Sequence, residues 1–384
     1  VSAQIVGVGM TGFGRRPERT LRDLAIEASR AALDDGGVDV KDIEAAVVGN
    51  AMAGLMTGQE SVRGQTVLRG FGLGGVPIVN VENACASGAT ALHLAEALVT
   101  SGRHECVLVV GVEKLYDDER AKTMAALAGA VEVTEESAGM TFMEIYAARV
   151  RAYMASYGAT ARHLAQIAAK NRSHGALNPY AGFRSPVSAD EILTSPLVAD
   201  PLRRLMCCPI TDGAAAVVVC SAPFARRRDA RAVTIRASVL VSGDRDADAN
   251  NENVVARAAT RAYEQASLGA GDVDVFEVHD AASSGELLSY ASLQLCAPGD
   301  EQRLVDDGVT SLGGTAPFNP SGGLQSKGNP SGATGVAQIA ELVWQLRGDA
   351  GARQVSGARV GLAENAGGMV NDRTAAVCVH VLAA

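Results

Sequence analysis

Apolar positions gather in this chain into two kinds of run. Residues 3–9, 45–48 and 106–110 are short, nearly continuous stretches of Ala, Val, Ile, Leu and Gly, the pattern of strands buried on both faces of a sheet. Between them, 20–34 carries apolar residues at helical spacing, and 89–99 is apolar almost all round, which predicts a helix in the middle of a domain. From about 114 to 199 the pattern changes to more charge, Met and Tyr, with helical periodicity over 142–157 and 160–173. This segment reads as an excursion from the main sheet, of the kind that covers a substrate site. The sheet resumes at 213–220, and the tract Arg226-Arg227-Arg228-Asp229 reads as a solvated crossing into a second half.

That second half repeats the first. The helix, Val-Asp and strand over 25–48 are matched over 258–278, and Ser87-Gly88-Ala89-Thr90 reappears as Ser331-Gly332-Ala333-Thr334, each ahead of an apolar helix. Duplication predicts two equivalent helix N-termini converging, with Cys85 contributed by one and Asn329-Pro330-Ser331 by the other. At 384 residues, two domains or a duplicated one is the prior. With aromatics at 4% and hydrophobics at 47%, the core must be built from small aliphatic side chains in close layers, which favours α/β architecture.

Composition then narrows the chemistry. A net charge of -9 argues against a nucleic-acid or anionic-membrane surface. Seven cysteines show neither a disulfide framework nor a zinc spacing, so a reducing cytoplasm and no metal are expected. No run is long enough to span a bilayer, and the first residues read as a strand and not as a signal peptide. Neither a P-loop nor a Gly-x-Gly-x-x-Gly fingerprint follows a strand, so no bound nucleotide cofactor is indicated. Cys85 sits where a strand turns into a helix, and a helix terminus there is expected to lower its pKa and make it a nucleophile. The same position also suits an inert core cysteine. His279 ends the strand at 273–278, where ligand-binding residues gather in open α/β sheets. His93 and His380 fall inside buried elements and read as core histidines. His174 lies beside Lys170, Arg172 and Arg184, a cluster that serves either to hold a phosphate or as a solvated helix face. Gly322-Gly323 and Gly367-Gly368 mark tight bends or close approach to a ligand.

Taken in order, Asn83-Ala84-Cys85-Ala86-Ser87-Gly88, Asn178-Pro179-Tyr180, Met206-Cys207-Cys208-Pro209-Ile210-Thr211-Asp212-Gly213, Val278-His279-Asp280, Asn319-Pro320-Ser321-Gly322-Gly323 and Gly328-Asn329-Pro330-Ser331-Gly332 resemble the thiolase superfamily. The likeness is greatest to its sterol carrier protein x-type members. It implies a duplicated five-layer α/β/α/β/α fold, with halves at 1–227 and 228–384 and a loop domain inserted at about 114–199. It also implies a homodimer or larger assembly and a coenzyme A thioester as substrate, in lipid or sterol acyl-CoA metabolism. In that family the cysteine matching Cys85 takes up the acyl group, the histidine matching His279 helps form an oxyanion hole, and the loop domain binds CoA. Gly323, Ser331, Gly367, Gly368, Arg172, His174 and Arg184 are the expected substrate contacts.

The chain also departs from the family. Asn329 stands where the family has the histidine that activates the nucleophile, and an amide cannot act as a base near neutral pH. Ala281 stands where the family has an acid/base cysteine, and Glu364-Asn365-Ala366-Gly367-Gly368 replaces a Cys-x-Gly element. Three functions fit. One is an acyl-CoA C-acyltransferase in which Cys85 carries the acyl group, with His279 as base and Asn329 as oxyanion donor. A second is a thiolase-like retro-aldolase acting on a steroid side-chain or other β-hydroxyacyl-CoA. The third is a catalytically weak acyl-CoA-binding subunit. The resemblance further suggests a small OB-fold partner protein.

Overall fold

The computed structural model describes residues 2–132, 141–243, 253–370 and 373–384. Part of the expected insertion, 133–140, therefore lies outside the described residues. The strands are β1 (Ala3–Met10), β2 (Ala45–Gly49), β3 (Ile78–Val81), β4 (Cys106–Glu113), β5 (Leu197–Ala199), β6 (Leu202–Arg203), β7 (Gly213–Ser221), β8 (Val233–Ser242), β9 (Val275–Glu277), β10 (Val360–Val370) and β11 (Arg373–Ala383). β5 and β6 form a small separate hairpin; the others line up as β3-β2-β4-β7-β1-β8-β11-β10-β9.

That order contains the repeat. β2-β4-β7-β1 in the first half is matched by β9-β10-β11-β8 in the second. In each half the outer pair is parallel and the next two pairings are antiparallel. The halves meet where β1 pairs with β8 over only Gln4↔Thr234 and Ile5↔Val233. This is a duplicated α/β arrangement, and side-chain alternation builds its layers. Along β4, Val107 and Val109 point into a central core while Cys106, Leu108, Val110 and Val112 point into an outer one under the helix Leu21–Gly36. The central core holds the helices Ser87–Thr100 and Ser331–Arg347. On the far side, β8 and β11 share a third core with the helices Val254–Ala266 and Ser283–Ser292.

The repeated Ser-Gly-Ala-Thr motif acquires a physical reason here. A Cβ at Gly88 would lie 2.6 Å from the Gly332 carbonyl oxygen, and one at Gly335 would lie 2.4 Å from the Ala89 nitrogen. The two central helices thus touch backbone to backbone at their first turns, a contact that only glycine permits. Asn50 Nδ2 (2.8 Å) and the N–H groups of Ala51 (2.9 Å), Met52 (3.2 Å) and Gly332 (3.1 Å) all donate to the buried Glu113 carboxylate, which ties the end of β4 to the second of these helices. Burial pushes Glu113 up to about 7 despite these donors.

His174 belongs to the core. Leu312 N–H donates to its Nε2 (3.1 Å), so Nδ1 carries the proton and donates to the Asn319 carbonyl oxygen at 3.0 Å. Burial, and secondarily the Lys170 charge, lower its pKa to about 4. With the folded value below the unfolded one near 6.5, the unfolded chain binds the extra proton as pH falls. The stability that neutral His174 contributes is complete above about pH 6.5 and is lost as pH falls to 4. A His174→Gln variant should therefore show a smaller drop in urea midpoint across this window than the wild type; an equal drop in both would contradict this assignment.

Candidate active site

Cys85 lies in the connection between β3 and the helix Ser87–Thr100. The connection is held by its own side chains. Ser87 Oγ accepts from Asn83 N–H (2.9 Å) and donates to the Ala84 carbonyl (2.6 Å), and Asn83 Nδ2 reaches Thr90 Oγ1 (3.0 Å). Ala84 takes φ 48°, a left-handed conformation costing about 1–2 kcal/mol in a residue with a Cβ. Gly367 on β10 packs directly against this elbow, since a Cβ there would lie 2.1 Å from Asn83 O and 2.5 Å from Ala86 N. Gly368 next to it has φ 65°. Gly367→Ala must push the elbow aside. It is expected to cost about 1–3 kcal/mol in urea unfolding and to lower kcat/KM for acyl transfer, whereas unchanged kinetics would show that the elbow tolerates the shift.

Cys85 opens onto a cavity of about 880 Å³. Its inner wall carries Cys85, Cys208, His279, Ala281, Asn329 and Gly367; Met124, Leu127, Phe142, Met143 and Tyr146 supply apolar wall. Arg120, Arg172, Arg184 and Arg204 also line it, and no Asp or Glu is among the lining residues. Arg172 is almost fully buried with its guanidinium over the Phe183 ring at 4.9 Å, and among the described residues no carboxylate pairs with it.

At the reacting centre Asn329 is held by Thr334, whose hydroxyl donates to Asn329 Oδ1 (2.9 Å), leaving the amide N–H groups for sulfur. Asn329 Nδ2 donates to Cys208 Sγ at 3.5 Å. Burial pushes the Cys85 thiol above its ordinary value, the charges of Glu113 and Glu82 add to that push, and the nearby polar groups of Ser331 and Asn329 oppose it without reversing it. The expected lowering by the helix terminus is thus reversed by desolvation. Asn365 Nδ2 donates to His279 Nδ1 (3.2 Å), leaving the ring proton on Nε2, and the His279 main-chain N–H donates to the Glu364 carboxylate (2.9 Å). Burial lowers His279 to about 4, so the ring is a neutral N–H donor with its second nitrogen occupied. That arrangement suits an oxyanion hole and not the base role.

Cys85, His279, Asn329, Gly367, Gly368, Arg172 and Arg184 are therefore brought to one cavity, and Gly323, Ser331 and His174 are not among the residues lining it. Gly323 (φ 57°) makes room for a carboxylate, its Cβ position falling 2.3 Å from Asp280 Oδ2. Ser331 acts on Cys85 from behind the wall. Sequence reasoning missed Cys208, Tyr146, Arg120 and Arg204. Cys208 lay in plain view in a Cys-Cys-Pro motif, but nothing local showed which of the two sulfurs meets Asn329.

The family description "Thiolase, N-terminal domain" matches residues 3–223, and "Thiolase C-terminal domain-like" matches residues 242–380. The chain belongs to the thiolase superfamily. It is 41% identical over 369 residues to the acetyl-CoA acetyltransferase of Methanothermobacter thermautotrophicus, covering 95% of this chain and 96% of that one. It is 38% identical to human sterol carrier protein 2, covering 94% of this chain and 69% of the relative. Among solved structures, an Ltp2-ChsH2(DUF35) aldolase superposes with TM-score 0.81 at 24% identity, covering 100% and 98% of the two chains. An acetyl-CoA acetyltransferase from Syntrophomonas wolfei superposes with TM-score 0.74 at 19% identity, covering 100% and 99%. The protein is an acyltransferase of the thiolase type. Among the described residues, no helix is long and apolar enough to cross a membrane.

Proposed function

We propose that this thiolase-type acyltransferase works through an acyl-Cys85 intermediate on acyl-CoA substrates of lipid or sterol metabolism. The observation that carries this reading is the placement of Cys85 with His279 and Asn329 on one mostly apolar cavity bordered by four arginines. The Cys85 thiolate attacks the carbonyl carbon, and the oxygen's developing charge is met by His279 Nε2–H and an Asn329 N–H. Arg120, Arg172, Arg184 and Arg204 supply cationic donors suited to CoA phosphates, and the Met and Phe wall suits an acyl chain. The lipid or sterol setting is supported by likeness to sterol carrier protein 2.

The mirrored strand order supports halves at 1–227 and 228–384, with 114–199 as an inserted loop domain that walls the cavity. A homodimer or larger assembly, a reducing cytoplasm consistent with the free cysteines, and a small OB-fold partner complete the reading. Likeness to the Ltp2-ChsH2(DUF35) aldolase favours that partner.

The test is intact-protein mass after incubation with acetyl-CoA, octanoyl-CoA and a steroid-like acyl-CoA, beside a Cys85→Ser control. An added acyl mass that disappears in the control supports the acyl-cysteine. Tight CoA-ester binding with no adduct on any thioester overturns it in favour of the carbon–carbon lyase reading.

A further inference from the structure

Breaking the bond between a carbonyl carbon and the neighbouring α-carbon leaves an electron pair on the α-carbon of the departing CoA thioester, and a proton must be delivered there. Forming the bond requires the same proton to be removed. Asn329 and Ala281 can do neither. His279 already carries its proton on Nε2, and its other nitrogen is engaged by Asn365. Two further thiols line the cavity, and the structure separates them. Cys207 Sγ donates to the Arg203 carbonyl oxygen at 3.4 Å. Cys208 Sγ instead accepts from Asn329 Nδ2, the amide that also favours the Cys85 thiolate. The main chain of Cys208 runs beside the cavity residue Ala281: its N–H donates to the Ala281 carbonyl oxygen (2.9 Å), and Cys207 bridges Ala282 in antiparallel fashion.

We propose that Cys208 is a second catalytic thiol, the group that gives the α-carbon its proton on cleavage and removes it on bond formation. This rests on the acyl-transfer reading above. In cleavage, Cys85 gives its proton to solvent, its thiolate forms the bond to the carbonyl carbon, and the carbon–carbon bond breaks with its electron pair going to the α-carbon. Cys208 S–H protonates that carbon and is left as thiolate, stabilised by the Asn329 N–H. Cys208 regains a proton from solvent, which receives one as the incoming CoA thiol ionises. The CoA thiolate then displaces Cys85 from the acyl group, and Cys85 takes up a proton from solvent, which restores the starting enzyme. Burial keeps Cys208 protonated at neutral pH in the resting protein, the form cleavage needs; to remove an α-hydrogen it first passes that proton to solvent.

The readout is exchange of α-hydrogen for deuterium in acetyl-CoA and octanoyl-CoA incubated with the protein in D2O, followed by mass spectrometry and run in parallel with the acyl-adduct assay. Wild-type protein should catalyse exchange. Cys208→Ala should lower it at least about 10²-fold while the Cys85 adduct still forms, because displacement of a CoA thiolate needs no proton on carbon. Cys208→Ser keeps the shape of the side chain and should show the same split, which preserves the test if the alanine variant folds poorly. Wild-type-like exchange in either variant, absence of exchange in the wild type, or joint loss of adduct and exchange in both variants would overturn the proposal. Exchange does not pass through Cys85, so a failure of the acyl-cysteine reading registers separately, as a missing adduct.

Discussion

Replacing Cys85 by serine is expected to lower kcat/KM for acyl transfer by about 10⁴-fold or more while leaving acyl-CoA binding nearly unchanged. Two features of the site make the loss large. The hydroxyl is a far poorer nucleophile than a thiolate, and no base stands ready to activate it. His279 is a neutral ring whose Nδ1 is occupied by Asn365, and Asn329 is an amide whose oxygen is held by Thr334. Binding should survive because the apolar wall and the arginines are contributed by other elements. The check is steady-state kinetics beside a direct titration with acyl-CoA. A variant that keeps more than a hundredth of wild-type kcat/KM would show that Cys85 is not the acyl carrier.

The second large effect is expected in stability. Lys327 and Glu277 form a pair with side chains 0% and 1% exposed, the ammonium 3.4 Å from the carboxylate. Ser321 donates to the same carboxylate through its N–H (3.0 Å) and its hydroxyl (2.7 Å), and Lys327 Nζ donates to Ser321 Oγ (3.0 Å). Burial pushes Glu277 upward and Lys327 opposes that push. Lys327→Met leaves a buried carboxylate without its counter-charge and should cost about 3–5 kcal/mol in urea unfolding. Its sign with pH is also set. Without Lys327 the folded pKa of Glu277 rises further above the unfolded value, so the variant retains stability at low pH and loses it as pH rises through that folded value. Adding Glu277→Gln to the variant removes the stranded charge and should recover part of the loss. Equal stability of Lys327→Met and wild type at pH 8 would refute this account.

Much of the fold was legible because local patterns coincide with long-range needs. The stretch at 89–99, apolar almost all round, read as a central helix, and the repeated Ser-Gly-Ala-Thr marked two helices whose first turns touch through glycine. Cys85 was legible because its position between a strand and a helix, inside an intact motif, is a local property. His174 was misplaced for the converse reason. Its neighbours Lys170, Arg172 and Arg184 read as one basic cluster, yet Lys170 pairs with the buried Glu286, Arg172 lines the cavity and His174 turns to Asn319 and Leu312.

Charge state was the least legible property. A helix N-terminus argues for a lowered Cys85 pKa, but desolvation depends on everything packed around the thiol, including Glu113 from β4, and the net shift is upward. The partnership of Cys208 with Asn329 was hidden in the same way: 121 positions separate them, and only the fold brings amide to sulfur. Periodicity and repeated motifs, being local, determined the layers, the duplication and the strand-to-helix elbow at Cys85. Which groups share the cavity, which nitrogen of His279 carries the proton and which thiol meets Asn329 depend on contacts between segments far apart in the chain, and those only the tertiary structure decided.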